Sequence, residues 1–177
     1  MIIREAKNAE LSDVLYVEGQ AFGNEKEAAL VRALLNDHTA KPTLSLMAFV
    51  DNKAVGHILF SKLRIFGSDR DDIRLLAPLA VIPDYQKQGV GGALISEGLT
   101  YLKRDGVSLV FVLGHPGYYP RHGFTPAGRF GFAAPYPIPE KDAGAWMVQE
   151  LKVGVLGSIG GNVVCAEALD RPEYWRE

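Results

Sequence analysis

Apolar positions along this chain change their period several times, and each change marks an element. Residues Ile2 to Arg4 read as a short strand. Behind Asn8, a candidate helix cap, Leu11, Val14 and Leu15 recur at helical spacing, and Gly23-Asn24 ends that pattern. A second helical stripe follows in Leu30, Val31, Leu34 and Leu35. Leu44 to Val50 and Ala54 to Leu63 read as two strands around the turn Asp51-Asn52, a hairpin. Gly67 to Asp72 is a polar loop, and Leu75 to Val81 is the next strand. Gly89 to Lys103 returns to helical spacing; Lys103 and Arg104 suit the negative end of that helix, and Gly106 closes it. Val107 to Leu113 is an unbroken apolar run, the mark of a buried strand. Residues 124 to 144, rich in proline, glycine and aromatics, predict an extended loop; Trp146 to Lys152 and Asn162 to Glu167 predict later strands. Hairpin and crossover connections occur together, which predicts a mixed α/β fold. No linker, repeat or low-complexity segment interrupts it.

Composition narrows the picture. A length of 177 residues suits one domain, residues 1 to 177, with 47% hydrophobic and 23% charged positions. A net charge of -2 disfavours a nucleic-acid groove or an anionic membrane surface as partner. A lone cysteine, Cys165, excludes an internal disulfide and fits a reducing compartment. The first residues lack the apolar stretch of a signal peptide, and no apolar run is long enough to span a bilayer, so a cytoplasmic enzyme or binding protein is expected.

The candidate chemistry lies mid-chain, where the strand ending at Val81 runs through Pro83 into Gln86-Lys87-Gln88-Gly89-Val90-Gly91-Gly92 and then a helix. Such a turn leaves backbone N–H groups unpaired at the positive end of a helix dipole, a docking point for phosphate. The nucleotide P-loop string is absent. The dinucleotide fingerprint fails because its last position, counted from Gly89, is Leu94. What remains is Gln86-x-x-Gly89-x-Gly91.

That motif resembles the signature of the GNAT superfamily of acetyl-CoA-dependent N-acetyltransferases. Tyr118-Tyr119-Pro120-Arg121-His122-Gly123-Phe124 is similar to the family's Tyr-x-x-x-Gly-Phe. Leu76-Ala77-Pro78-Leu79-Ala80-Val81 and Leu113-Gly114-His115-Pro116 resemble its YhbS-like bacterial branch. The resemblance covers Ile2 to about Ala127. It implies a mostly antiparallel sheet with one splayed parallel pair, flanked by helices. The pantetheine arm would enter the splay and bond the main chain near Leu79 and Val81, and amides from Gln88 through Val90 and Gly91 to Gly92 would hold the diphosphate. A strand lacking full pairing also tolerates Pro78. With Ala80, Gln86, Lys87, Gly89 and Tyr118, these complete the expected acetyl-CoA contacts.

Acetyl transfer to an amine needs a donor for the carbonyl oxygen, a proton for the leaving thiolate and a neutral amine. The resemblance places Tyr119 as the acid, with Tyr118 beside it as the alternative. It places the oxygen's donor on a backbone N–H near Ala80 or Val81. The base stays open: Glu25 and Glu27 begin the second helix, His57 sits in a strand and His115 follows one, and each has an equally plain structural reading. Cys165, among Val163, Val164 and Ala166, reads as a small buried residue, so direct attack is expected over an enzyme-bound intermediate. Lys87 and Arg121 are phosphate partners or solvated cations. No metal-ligand spacing links the four histidines to each other or to Cys165, and no metal is expected. The loop from Phe124 to Lys141 lines the acceptor pocket or covers a sheet face. Small-molecule and protein amines are equally open as acceptors. Dimers are common in the family. The competing reading is a GNAT-like module that binds acyl-CoA without turnover.

Overall fold

A computed structural model describes residues 1–176. Its strands are β1 (Ile2–Glu5), β2 (Leu44–Val50), β3 (Lys53–Ile65), β4 (Ile73–Val81), β5 (Leu109–Leu113), β6 (Thr125–Pro126), β7 (Phe132–Ala133), β8 (Trp146–Glu150) and β9 (Gly161–Val164). Its α-helices are α1 (Leu11–Phe22), α2 (Lys26–Leu35) and α3 (Val90–Arg104). The sheet runs β1-β2-β3-β4-β5-β8-β6, with β9 on the end of β3 and β7 beside β9. Pairing is antiparallel except for β4 with β5 and the short β7 with β9. This is the mixed, mostly antiparallel sheet with a splayed parallel pair that the motifs imply.

Two apolar clusters cover the two faces of the sheet. Val14, Leu30, Val31 and Leu34 of α1 and α2 pack with Met47, Leu63, Phe111 and Trp146. On the other face Val90, Leu94, Ile95 and Leu102 of α3 pack with Ile58, Phe60, Val110 and Phe124. A Cβ on Gly98 would lie 2.4 Å from the Phe60 ring, so α3 sits closer to the sheet than alanine would allow. The β2–β3 turn holds Asp51 and Asn52 at φ 49° and 64°, the positive pair that a two-residue hairpin of this twist requires.

Two expectations change. Asn8 is not a helix cap: it opens a 3₁₀ turn, Asn8–Glu10, and α1 starts at Leu11. The Glu10 carboxylate does the local bonding, accepting from Lys7 N at 2.8 Å and Arg4 Nη2 at 2.7 Å. Arg4 and then the Lys7 N–H hold that carboxyl down to about 2. The stretch from 124 to 144 is more than an extended loop. It pairs β6 to β8 and β7 to β9, strands that come later in the chain.

The decisive feature is where β4 and β5 part. Parallel pairing covers Ile73, Arg74 and Leu75 against Leu109, Val110 and Phe111, and the ladder stops there. On its other side β4 continues along β3 to Val81, opposite Gly56. A register shift between Ile58 and Phe60 sets Leu79 and Leu76 opposite those two residues, so Ala77 and Pro78 fall in a bulge. The missing N–H of Pro78 therefore costs no ladder bond on either side.

Candidate active site

Past Val81 the chain makes a 3₁₀ turn, Pro83–Tyr85, and enters α3 through Lys87 at φ 60° and Gly89 at φ 87°. Ala93 N–H bonds to Gly89 O, so by helix geometry the N–H groups of Val90, Gly91 and Gly92 project from the helix end. Two glutamine side chains brace the turn. Gln86 Nε2 donates to Val81 O and Gln88 Nε2 to Asp84 O, each at 2.9 Å. One N–H of each side-chain amide is thereby used on the turn itself.

The glycines have different tasks. Nothing lies within 4 Å of a Cβ on Gly89; its positive φ is what calls for glycine. A Cβ on Gly91 would lie 2.6 Å from Tyr118 Oη, and one on Gly92 would lie 2.9 Å from His122 Cε1. Glycine there lets two side chains from beyond β5 lie on the first turn of α3.

A cleft of about 670 Å³ opens at this place, walled by Leu79, Val81, Tyr85, Gln86, Lys87, Gly89, Gly91, Gly92, Tyr118, Arg121 and His122. Two cations, Lys87 and Arg121, line it together with Gly89, Gly91 and Gly92 at the start of α3. Burial raises the Tyr118 phenol above its ordinary value, against the pull of Arg121. Burial and then Arg121 lower the His122 imidazole. Val90 and Ala80 are buried beneath the cleft and do not wall it.

A second cavity, about 510 Å³, lies in the splay itself, between Leu76–Leu79 of β4 and Val112–Gly114 around the end of β5. Leu79 and Tyr118 wall both spaces, so the two meet there. Tyr119 faces the second cavity. Its ring lies against Gly114, where a Cβ would come within 2.4 Å, and meets Phe124 edge-on at 5.8 Å. Glu27, His115, Phe22 and the C-terminal Glu173, Tyr174 and Arg176 complete this wall.

The β4 backbone supplies what the side chains do not. Ile82 N–H bonds to Val55 O, and Ala80 stands opposite His57. By the alternation of an antiparallel ladder, Ala80 spends its N–H and C=O on β3, while Leu79 and Val81 turn theirs toward the splay. The bond from Gln86 to Val81 O agrees with that direction. Of the two positions expected to carry the oxygen's donor, Ala80 therefore turns its N–H to β3, while Val81, like Leu79, turns its own to the splay.

His57 lies outside both cavities, fully buried, with Nδ1 2.6 Å from Glu18 Oε1 and Nε2 2.8 Å from Ser45 Oγ. Glu25 lies beside Gly19 of α1. Burial pushes the Cys165 thiol up to about 11, which suits a packing residue and not a nucleophile. Among the described residues no group of three or more His, Cys, Asp or Glu side chains is placed to hold a metal ion. No helix among them is long and apolar enough to cross a membrane.

Sequence reasoning missed His122, Tyr85 and the C-terminal wall. Leu169–Trp175 carried a usable signal, since it holds two adjacent aromatics, Tyr174 and Trp175, and Trp175 is buried.

A splayed β4–β5 pair beside a glycine turn that opens a helix defines a class of acyl-group-transferring enzyme. Residues 10–124 match the model of the acetyltransferase (GNAT) family. The chain belongs to that family and is an acetyl-CoA-dependent acyltransferase. It is 50% identical over 161 residues to YjhQ, an uncharacterized N-acetyltransferase of Escherichia coli K12, covering 90% of this chain and 88% of YjhQ. The crystal structure of YhbS from Escherichia coli in complex with CoA superposes with a TM-score of 0.86 at 29% identity, covering 96% and 92% of the two chains. A GNAT family acetyltransferase from Brucella melitensis in complex with acetyl-CoA gives 0.76 at 30% identity, covering 96% and 97%.

Proposed function

We propose that this protein transfers the acetyl group of acetyl-CoA directly to an amine, using the cleft for the coenzyme and the second cavity for the acceptor. The observation that carries the reading is the end of β4–β5 pairing at Leu75. Beyond it, Leu79 and Val81 direct main-chain groups into a gap that joins the two spaces. The pantetheine arm takes those groups as a strand would. Its diphosphate takes the N–H groups from Gln88 to Gly92, with Lys87 and Arg121 as Coulombic partners. Solved relatives in complex with CoA and with acetyl-CoA support the choice of ligand.

The thioester then lies where the spaces meet. The Leu79 N–H, which borders both, is the donor for the carbonyl oxygen as it gains charge. Tyr119 supplies the proton to the departing thiolate, because its ring faces the acceptor side of the junction. Tyr118 has its hydroxyl on the first turn of α3, at the coenzyme side.

Thermal-shift titration tests the ligand: CoA should raise the melting temperature, and ATP or NAD should not. Thiol release from acetyl-CoA with a panel of amines tests the reaction. No stabilisation by CoA would end this reading.

A further inference from the structure

The acceptor must lose a proton before it can attack, since an alkylamine is an ammonium at neutral pH. Tyr119 gives a proton in this reaction and does not take that one. Glu27, in the first turn of α2, walls the acceptor cavity, yet its Oε2 is buried without a hydrogen-bond partner. Glu18 of α1 is fully buried, and its Oε2 is likewise buried and unpaired. The other Glu18 oxygen is 2.6 Å from His57 Nδ1, and Ser45 Oγ is 2.8 Å from His57 Nε2. Both ring nitrogens thus have an oxygen partner, and the Ser45 hydroxyl can accept from Nε2 or donate to it. Two bare buried carboxylates within Coulombic reach of each other would repel. Burial raises the Glu18 carboxyl, His57 opposes that, and the charge of Glu27 raises it further, so the two acids feel each other.

We propose that Glu27 is the base that takes the acceptor's ammonium proton, and that the buried Glu18–His57 pair, holding one proton between them, keeps Glu27 ionised. The inference rests on the acetyl-transfer reading above. The ammonium gives one proton to Glu27, and the freed nitrogen lone pair forms the C–N bond at the thioester carbonyl. The C–S bond breaks, and the thiolate takes the phenolic proton of Tyr119. The second nitrogen proton restores the phenol, and Glu27 releases its own to solvent. Each turnover yields the amide, CoA thiol and one proton.

The other charged or titratable groups on this cavity are Lys26, His115, Tyr118, Tyr119, Glu173, Tyr174 and Arg176. Lys26 and Arg176 are cations. His115 Nδ1 already accepts from Gly117 N at 3.0 Å. Glu173 is an exposed residue 3.9 Å from Arg171. Glu27 is the wall's carboxylate with an unpaired buried oxygen.

The test uses 2-phenylethylamine, an amine whose ring suits the Phe22, Leu30 and Tyr174 walls. Glu27→Gln should keep its stabilisation by CoA, lose about 100-fold in kcat/KM, and lose the acid limb of the pH profile. A wild-type profile in that variant overturns the assignment. His57→Gln leaves Glu18 uncompensated, so the acid limb should move to higher pH. Adding Glu18→Gln should move it back, a reversal that simple damage to packing would not give. An acid limb at one pH in wild type, His57→Gln and the double variant overturns the role of the pair. Carboxyl-carbon NMR of the Glu27 side chain, without acceptor, follows the same order of midpoints and stays decisive where the probe amine turns over slowly. Where His57→Gln fails to fold, Glu18→Gln alone decides: an unmoved Glu27 signal supports a neutral pair, and a downward move overturns it. Failure of wild type to bind CoA would instead count against acetyl transfer, leaving the NMR result to stand.

Discussion

The cleft beside α3 and the cavity in the β4–β5 splay, the proposed coenzyme and acceptor ends of the site, are built from different material. The cleft beside α3 is mostly main chain: helix N–H groups, two residues at positive φ and the peptide groups of Leu79 and Val81. All of these lie within residues 79 to 92, one strand and one turn. The cavity in the splay is mostly side chain, gathered from α1, α2, β4, the segment after β5 and the C-terminal turn. Backbone recognition is insensitive to side-chain identity except where a Cβ intrudes. A side-chain pocket changes with almost any substitution. One end is therefore suited to a fixed ligand and the other to a ligand that differs between relatives.

The sharpest way to separate the ends is Tyr119→Phe. The phenol borders the acceptor cavity, and the ring packing against Gly114 and Phe124 survives the change. Turnover should fall by about 100-fold or more, while the CoA dissociation constant measured by calorimetry stays within a few-fold of wild type. Unchanged turnover would move the acid to Tyr118 or remove it altogether.

Gly89→Val should act in the opposite sense. The space around Gly89 is open, so the cost comes from φ alone, about 1–3 kcal/mol, or roughly 5- to 150-fold in coenzyme affinity if the turn relaxes away from its binding shape. The Michaelis constant for acetyl-CoA should rise, with the rate at saturation little changed. Gly91→Ala probes a different cause at nearly the same place, because its Cβ meets Tyr118 Oη. Equal affinity in Gly89→Val and wild type would mean that the turn does not need its left-handed residue.

Removing cations should cost less. Lys87→Ala with Arg121→Ala takes away two charges from the cleft but none of its N–H groups. Exposed pairs of this kind are worth up to about 1 kcal/mol each. CoA affinity should fall about tenfold in low salt, and the gap should close as salt is raised. A loss of several hundredfold would mean that the anion is held by side chains, and the contrast between the two ends would fail.

Legibility in the sequence followed the same division. Gln86-x-x-Gly89-x-Gly91 was readable because a local turn encodes its geometry in adjacent residues, and the change from strand to helical spacing marks where it sits. The hairpin at Asp51-Asn52 and the buried run through Leu113 were readable for the same reason. Glu27, Tyr174 and Arg176 could be counted but not placed together, since nothing local brings α2 to the C-terminal turn. His57 shows the limit most plainly. Its partners Glu18 and Ser45 lie 39 and 12 residues away, so only the fold shows that it is satisfied by both and lines neither cavity. The β6 and β7 pairings were hidden because each waits for a strand later in the chain.

The smallest expected effect concerns His122, a side chain at the otherwise main-chain end. Burial and the neighbouring Arg121 lower its imidazole, so the free protein carries it neutral at pH 7 and above. A bound diphosphate favours the protonated form, so binding must draw a proton to it as pH falls below the ordinary histidine range near 6.5. Linkage then fixes the sign: affinity should gain in that window and stay flat above it. The phosphates of CoA also titrate in weak acid, so the informative quantity is the difference between wild type and His122→Gln across the pH series. That difference should open below pH 6.5, favour wild type and amount to a few-fold at most, because Arg121 beside it competes for the same anion. A difference of the same size at pH 8 would make His122 a hydrogen-bond donor in its neutral form. The coenzyme end would then depend on a side chain after all.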